Sequence, residues 1–336
     1  MRQYLLAPSE NWFRANLHCH TVLSDGALTP QEVKELYQKR GYSAIAYSDH
    51  EKFIPHPELT DNNFVAIHSG EYGIGLGIDP KMPVPEKLKG SWGLDRCYHF
   101  NIFATDPGIT AAPSTGDFIK PTDPSLSPED QLAVRYAQVN KWIAACNGAG
   151  FLVQLNHPYW SLNIREDWLS LDGLWSLEIL NYATQRETAA DYCPMVYDDM
   201  LRFKGPGLFC TMDDDNHNRP GWSSEEHSCG GSTFFAADEL SYKAIADSMR
   251  KGRFFCASGL NPPRFHAVWI EDGKVHAEFS PVDDIVLTGF SRYFQQQRLP
   301  GITSAEFPVP ENEPYFRLTL IDRMGNFANT GAFALP

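Results

Sequence analysis

The sequence predicts an α/β protein: a mostly parallel sheet, open or closed into a barrel, followed by a small all-β domain. Three observations predict it. Short apolar runs that end in ionisable residues recur over roughly the first 260 residues, as strands of a parallel sheet do. Segments with helix-capping signals stand between them. From about Pro262 the helical pattern stops and hairpin signals replace it. At 336 residues and 37.8 kDa, the chain can hold two domains, or one barrel of about 250 residues with an appendage. Residues 1–262 are therefore read as the α/β unit and residues 263–336 as a small β-sandwich.

The elements follow in order. RANLHCH is a short strand that runs into a polar turn. TPQEVKELYQKRG carries helix signals, with Thr29 as N-cap, Pro30 at the first position, Glu32 at the third and Gly41 as C-cap. YSAIAYSDH, NFVAIHSGEY, YHFNIFAT, GFLVQLNHP, WSLEILNY and GLFCTMDDDNH read as further strands. SPEDQLAVRYAQVNKWIAACNGAG is a second helix, capped by Ser127 and stopping near Gly148. Residues 73–97 and 106–126 are rich in Gly and Pro and read as long excursions, whose length suits the covering of a site. RFHAVWIEDGKVHAEFS is a hairpin turning at Asp272-Gly273, and YFRLTLIDRMGNFANTGAF another turning at Gly325-Asn326.

Composition narrows the function. Hydrophobic residues are 43% and charged residues 21%, which excludes a disordered or collagen-like chain. No run of about 18 apolar residues predicts a membrane span, and the first residues do not read as a secretory leader. A net charge of -14 disfavours extended nucleic acid as a partner, because proteins that coat phosphate backbones present basic surfaces. It does not exclude a small anionic substrate, because bound metal reverses the local field. Seven cysteines, an odd number, with no CxxC, predict a reduced, cytoplasmic setting.

The histidines carry the chemistry. Of 11, six lie at or beyond the ends of predicted strands: His18, His20, His50, His99, His157 and His217. In parallel α/β folds those ends share the ligand-binding face. Asp25, Asp49, Glu71, Asp213, Asp214 and Asp215 lie there too. Taken singly, each has an ordinary reading, such as a cap, an exposed turn or a satisfied core histidine. His18-x-His20, however, places two imidazoles on one side of a strand. Together, so many carboxylates on one face require cations to neutralise them, and imidazole with carboxylate suits Zn, Fe or Mn.

Asn16-Leu17-His18-Cys19-His20-Thr21, with Ser24-Asp25-Gly26 and Thr29-Pro30-Gln31-Glu32, resembles the opening motif of the PHP (polymerase and histidinol phosphatase) superfamily. Ser48-Asp49-His50-Glu51 is similar to its second motif. Gly70-Glu71, His99, Asn156-His157-Pro158, Asp215-Asn216-His217 and Lys251-Gly252-Arg253-Phe254-Phe255, with Ser258 and Gly259, follow in the family's order. The resemblance implies a distorted (β/α)7 barrel with two or three divalent metals, and the carboxy-terminal strands resemble the β-sandwich tail of two-domain members. It implies that His18, His20 and Asp215 hold one metal. Glu71 would bridge it to a second, held also by His99 and His157, and His50, His217 and Asp25 would hold a third. Asp213 and Asp214 stay open as alternatives to Asp215.

The expected activity is hydrolysis of a small phosphate ester by a hydroxide that two metals share through the Glu71 bridge. His217, His50 or Asp49 would protonate the leaving oxygen. Arg165, Arg186, Arg219 and Lys120 are the cations considered for the phosphate, and Trp92, Trp160, Trp168, Trp175 and Trp222 the aromatics considered for the mouth. No P-loop, GxSxG or Rossmann fingerprint supports another mechanism. The competing readings are a metal-dependent nuclease acting on short nucleotides and a non-catalytic, metal-stabilised binding module.

Overall fold

The computed structural model describes residues 2–79, 81–220 and 225–336. The first part of the chain runs β1 (Gln3–Leu6), β2 (Trp12–Asn16), α1 (Pro30–Gln38), β3 (Ala44–Tyr47), β4 (Val65–Gly77), β5 (Arg96–Ala104), α2 (Thr115–Phe118), α3 (Pro128–Gly148) and β6 (Phe151–Leu155). It continues with α4 (Arg165–Leu169), β7 (Ser176–Asn181), α5 (Tyr182–Thr188), α6 (Pro194–Lys204), β8 (Phe209–Asp213), β9 (Gly231–Ala236), α7 (Tyr242–Lys251) and β10 (Phe254–Ser258). Six strands end it: β11 (Phe265–Glu271), β12 (Lys274–Gly289), β13 (Phe294–Pro308), β14 (Tyr315–Ile321), β15 (Phe327–Thr330) and β16 (Phe333–Ala334).

Local chemistry explains the helix starts. Thr29 Oγ1 accepts from the Glu32 amide at 3.3 Å, and Glu32 Oε2 accepts from the Thr29 amide at 2.8 Å, a reciprocal capping box. Ser127 Oγ accepts from the Asp130 amide at 3.1 Å. The end of α1 differs from expectation. Lys39 is the C-cap, and Gly41, at φ +77, makes the left-handed turn two residues later.

Strands β2, β3 and β4 pair in parallel, as do β6, β7 and β8. β5 lies antiparallel between β4 and β6. This corrects the expectation of strand-helix alternation throughout. β4 runs on for 13 residues and β5 returns beside it with no α-helix between them, so the Gly-rich start of the 73–97 excursion is strand. The region beyond β8 closes onto the region beyond β2: the Asp215 amide donates to the His18 carbonyl at 2.9 Å, and the His20 amide to the Asn216 carbonyl at 3.1 Å. The segments that follow β2 and β8 thus lie side by side. Trp142 of α3 packs with Phe100, Val153, Leu177 and Met212 in the core outside them.

On its other edge β2 pairs antiparallel with β9, and the sheet continues through β10, β15, β14, β12, β11 and β1. The hairpin between β11 and β12 turns at Asp272-Gly273, both at positive φ (+50 and +73). β14 returns as β15 through a turn with Gly325 at φ +80. Sequence reading missed β1, β9, β10 and β13. β13 is polar, contains Pro300 and Gly301, and pairs with β12 alone, so no buried-face alternation marks it.

One apolar core joins the two parts. Phe234 of β9 and Phe255 of β10, each 1% exposed, pack with Phe265, Val268, Phe279, Phe316, Leu318 and Leu320. A chain ending at Pro262 would uncover both and remove β15, the partner of β10. The expected result is a marked loss of soluble protein. Any soluble fraction should still bind metal, since residues 263–336 contribute none of the expected ligands. Metal analysis of that fraction checks this, and a soluble, metal-free product would overturn the boundary or the ligand set.

Candidate metal centre

The segments beyond β2, β3, β6 and β8 deliver His18 and His20, His50, His157, and Asp215 and His217 to one place. Glu71 of β4 and His99 of β5 meet them there. His99 sits near the start of β5, not beyond its end. Because β5 is antiparallel, its start lies beside the far part of β4, opposite Gly73, and the ring reaches the same face. Two glycines permit the close approach of the loops. A Cβ on Gly26 would lie 2.5 Å from the His20 carbonyl oxygen, so only glycine lets the Ser24-Asp25-Gly26 turn fold back and aim Asp25 inward. A Cβ on Gly70 would lie 2.3 Å from the Lys52 carbonyl oxygen, where the chain after His50 crosses over Glu71.

Glu71 is the hub. Its Oε1 lies 3.3 Å from His18 Nε2, 3.1 Å from His99 Nδ1 and 3.3 Å from His157 Nε2. Its Oε2 lies 2.9 Å from His50 Nδ1 and 3.4 Å from His20 Nε2. Asp215 Oδ1 is 2.9 Å from His20 Nε2 and 3.2 Å from His18 Nε2. Asp25 Oδ1 is 3.3 Å from His217 Nε2 and 3.6 Å from His50 Nε2. Burial by itself would raise both Glu71 and Asp215. The surrounding imidazoles, His18 foremost, outweigh it and hold both carboxyls well below the usual range. Asp25 is brought down to about 2, its burial outweighed by His217, His50 and His20.

These residues fit metal ions. His18 Nε2, both ring nitrogens of His20, Asp25 Oδ1 and Asp215 Oδ1 are buried and crowd one another without making an aligned hydrogen bond, a costly state for groups that metal would satisfy. Among the described residues, four sets of donor atoms each lie within 4.8 Å of one another: His18, His20 and Asp215; His20, Asp25, His50 and His217; His18, Glu71 and His157; His50, Glu71 and His99. The first is the set the resemblance implies for one metal. The second contains the implied third set together with His20. His99 and His157 fall in separate sets, joined through Glu71. The donors open onto a cavity of about 260 Å³, also lined by Trp160, Thr184 and Glu187.

No family model matches this chain, and no curated protein does. Among solved structures it is similar to a two-domain protein of Bacteroides vulgatus ATCC 8482 containing a predicted PHP-like metal-dependent phosphoesterase. The identity is 14% over 99% of this chain and 98% of that one, with a TM-score of 0.45. It is also similar to a proposed metal-dependent phosphoesterase of Bifidobacterium adolescentis ATCC 15703, at 17% identity over 63% of this chain and 91% of the other, TM-score 0.39. An amidohydrolase of Chromobacterium violaceum with bound sulfate and no metal matches at 14% identity over 60% and 87%, TM-score 0.33.

Within this cluster the acidic triplet divides by partner. Asp213 accepts from the Leu17 amide at 3.0 Å and from Thr211 Oγ1 at 2.7 Å. Asp214 accepts from the amides of Cys229 and Gly230 at 2.7 and 2.9 Å and from Tyr37 Oη at 2.7 Å. Both are spent on the fold, and Asp215, at φ +53, turns into the centre. Asp49 corrects an expectation. Its carboxylate accepts from the Thr21 amide at 2.9 Å and Ser24 Oγ at 2.6 Å, so it holds the turn carrying Asp25, and it does not line the cavity.

The other candidates also separate. Arg165 pairs with Asp199 at 2.7 Å, the Lys120 amine binds the Gly116 carbonyl, and neither they nor Arg186 line the cavity. Arg219 reaches the rim, with Nη2 3.9 Å from Asp25 Oδ2. Trp175 is core, packed on Phe103 and Phe254, and Trp168 Nε1 donates to Asp199 at 3.4 Å. Trp160 lines the cavity, while Trp222 and the side chain of Trp92 lie outside the described residues.

Sequence reasoning missed Glu178. It lies inside β7, and its one signal is a charge in the middle of an apolar strand. Its Oε1 is 3.0 Å from His18 Nδ1, and its Oε2 accepts from the His157 amide at 2.8 Å and from Asn181 Nδ2 at 3.2 Å. With Nδ1 of His18 turned to Glu178, Nε2 is left for the centre, the usual support for a ligating imidazole. Burial raises Glu178 to about 8, against the pull of His18.

Proposed function

We propose that this protein is a metal-dependent phosphoesterase that hydrolyses a small phosphate ester. The observation that carries the reading is the convergence of nine imidazole and carboxylate side chains in one cluster, seven of them lining one cavity and several with buried donor atoms that make no aligned hydrogen bond. In this reading His18, His20 and Asp215 hold one ion. Glu71, His99 and His157 would hold a second, and His50, His217 and Asp25 would hold a third. Two or three ions of Zn, Fe or Mn suit these donors. When bound, the ions supply positive charge toward the phosphate oxygens and acidify water at neutral pH.

The chain's own groups do the rest. Glu178 and Asn156 orient the donors, with Asn156 Nδ2 donating to Glu71 Oε1 at 2.9 Å. No Lys or Arg lines the cavity among the described residues, so recognition of a phosphate falls to the ions and histidines. His50 and His217 face the cavity, and their carboxylate neighbours outweigh burial and raise both imidazoles. With the third site empty, a proton on Nε2 of either, beside Asp25, is placed to pass to a leaving oxygen. The cytoplasmic setting belongs to this proposal. Among the described residues, no helix is long and apolar enough to cross a membrane.

The test is activity against sugar phosphates, aryl phosphates and short nucleotides, with protein stripped of metal and then reloaded with Zn, Fe or Mn. Turnover is expected only after reloading. Fully loaded protein inert toward every phosphoester would sink the reading and favour a non-catalytic module.

A further inference from the structure

Trp160 is shared by two spaces. It lines the metal-centre cavity, and together with His99 it also lines an adjoining cleft of about 420 Å³ with Gly75, Gly93, Asp95 and Leu162. Its ring lies 5.3 Å from that of His157 and 5.5 Å from that of His99, centroid to centroid, yet it stays 41% exposed. Tyr159 and Leu162 beside it are 52% and 42% exposed. Three large apolar side chains within four residues, uncovered and next to a ligand cluster, form the kind of patch that marks a binding surface.

The shelf is built, not loose. The Cys97 amide donates to the Ser161 carbonyl at 3.2 Å, and Asn163 Nδ2 to the Cys97 carbonyl at 2.7 Å, which ties the 157–163 turn to β5. Ser161 Oγ lies 3.1 Å from His157 Nδ1. Leu162 is held at φ +55, a conformation that a branched side chain adopts only where the surroundings impose it. Across the cleft, a Cβ built on Gly75 would meet nothing within 4 Å, so the space is open there.

Charge says what the shelf would not hold. Cavity and cleft present Asp25, Glu71, Asp95, Glu187 and Asp215. The one guanidinium in the cleft, Arg96, is buried, and its Nη1 donates to both oxygens of Asp167 at 3.0 Å. Among the described residues that line the cleft, a second phosphate on the substrate would find no other cation.

We propose that Trp160 and this shelf select the leaving group: a phosphoester with a single phosphate whose uncharged, flat or apolar organic part stacks on Trp160 while its phosphate sits at the metal centre. The inference rests on the phosphoesterase reading above, and its test has a second arm that does not.

In the first arm, metal-loaded wild type, Trp160→Ala and Trp160→Phe are compared on 1-naphthyl phosphate and glycerol 2-phosphate. The ratio of kcat/KM for the two should fall roughly tenfold in Trp160→Ala, the scale of losing one stacking aromatic, and should largely recover in Trp160→Phe. An unchanged ratio overturns the proposal. In the second arm, binding of the non-hydrolysable 1-naphthylmethylphosphonate is measured by calorimetry on the same loaded proteins. Binding weakened about tenfold by Trp160→Ala and restored by Trp160→Phe supports the shelf even if neither ester is turned over. That result would leave the shelf standing and remove the phosphoesterase reading. Equal binding by all three proteins removes the shelf.

Discussion

Glu71→Gln is expected to lower turnover of a phosphoester by on the order of a hundredfold or more, the scale of losing one major electrostatic element. Glu71 is 1% exposed and places its two oxygens within 3.4 Å of five imidazoles. Glutamine fills the same volume but removes one negative charge, and its amide nitrogen would face ring nitrogens where an oxygen now lies. The variant must be assayed with its metal content measured, so that loss of ions and loss of rate are told apart. Wild-type turnover in a fully loaded Glu71→Gln protein would remove Glu71 from its bridging role. His217→Asn should behave differently, weakening the set around Asp25 while the sets that contain His18 remain.

The second large effect is on metal binding. His18→Ala combined with His20→Ala deletes donors from three of the four sets, and should cost the protein at least one ion by elemental analysis. Unchanged stoichiometry would sink the assignment. Acidity gives the same site a second readout. Burial alone would lower His99, but Glu71 and Cys97 outweigh it and raise the imidazole to about 10. Without metal His99 is therefore protonated at neutral pH, and a ligating imidazole must lose that proton. Metal binding at pH 7 should release protons, and affinity should rise with pH toward about 10 and fall as the solution is acidified. Calorimetry in buffers of different ionisation enthalpy counts those protons, and an apparent affinity flat between pH 6 and 9 would contradict it.

Much of the centre was legible because its residues stand where strands end. His18-x-His20, Asp49-His50, His157 and Asp215-Asn216-His217 all break apolar runs, and a parallel sheet gathers such breaks on one face. His99 was found for a partly wrong reason: it begins an antiparallel strand, which no local pattern in YHFNIFAT discloses. The division of the acidic triplet was illegible because Asp213 and Asp214 are satisfied by groups far along the chain, the amides of Leu17 and of Cys229 and Gly230. Asp49 could not be told from a catalytic acid until the donors from Thr21 and Ser24 were seen. Glu178 hides in β7 because its partners come from two other strands' ends. β13 escaped notice because an exposed edge strand needs no apolar face.

The pairing of β1 with β11 sets Tyr4 opposite Trp269 and Leu6 opposite Val268. A strand made first must wait for one made much later. At ribosomal speeds of about 5–20 residues per second, that interval is on the order of ten to fifty seconds. The metal centre has its own delay, since His18 and His20 meet Asp215 only after nearly two hundred residues more have been synthesised. Contacts this distant in sequence make for slow folding, and they order the events. The nascent chain carries its imidazoles long before it has a complete centre, and the set of His18, His20 and Asp215 is assembled only once the β8 end has docked beside the β2 end.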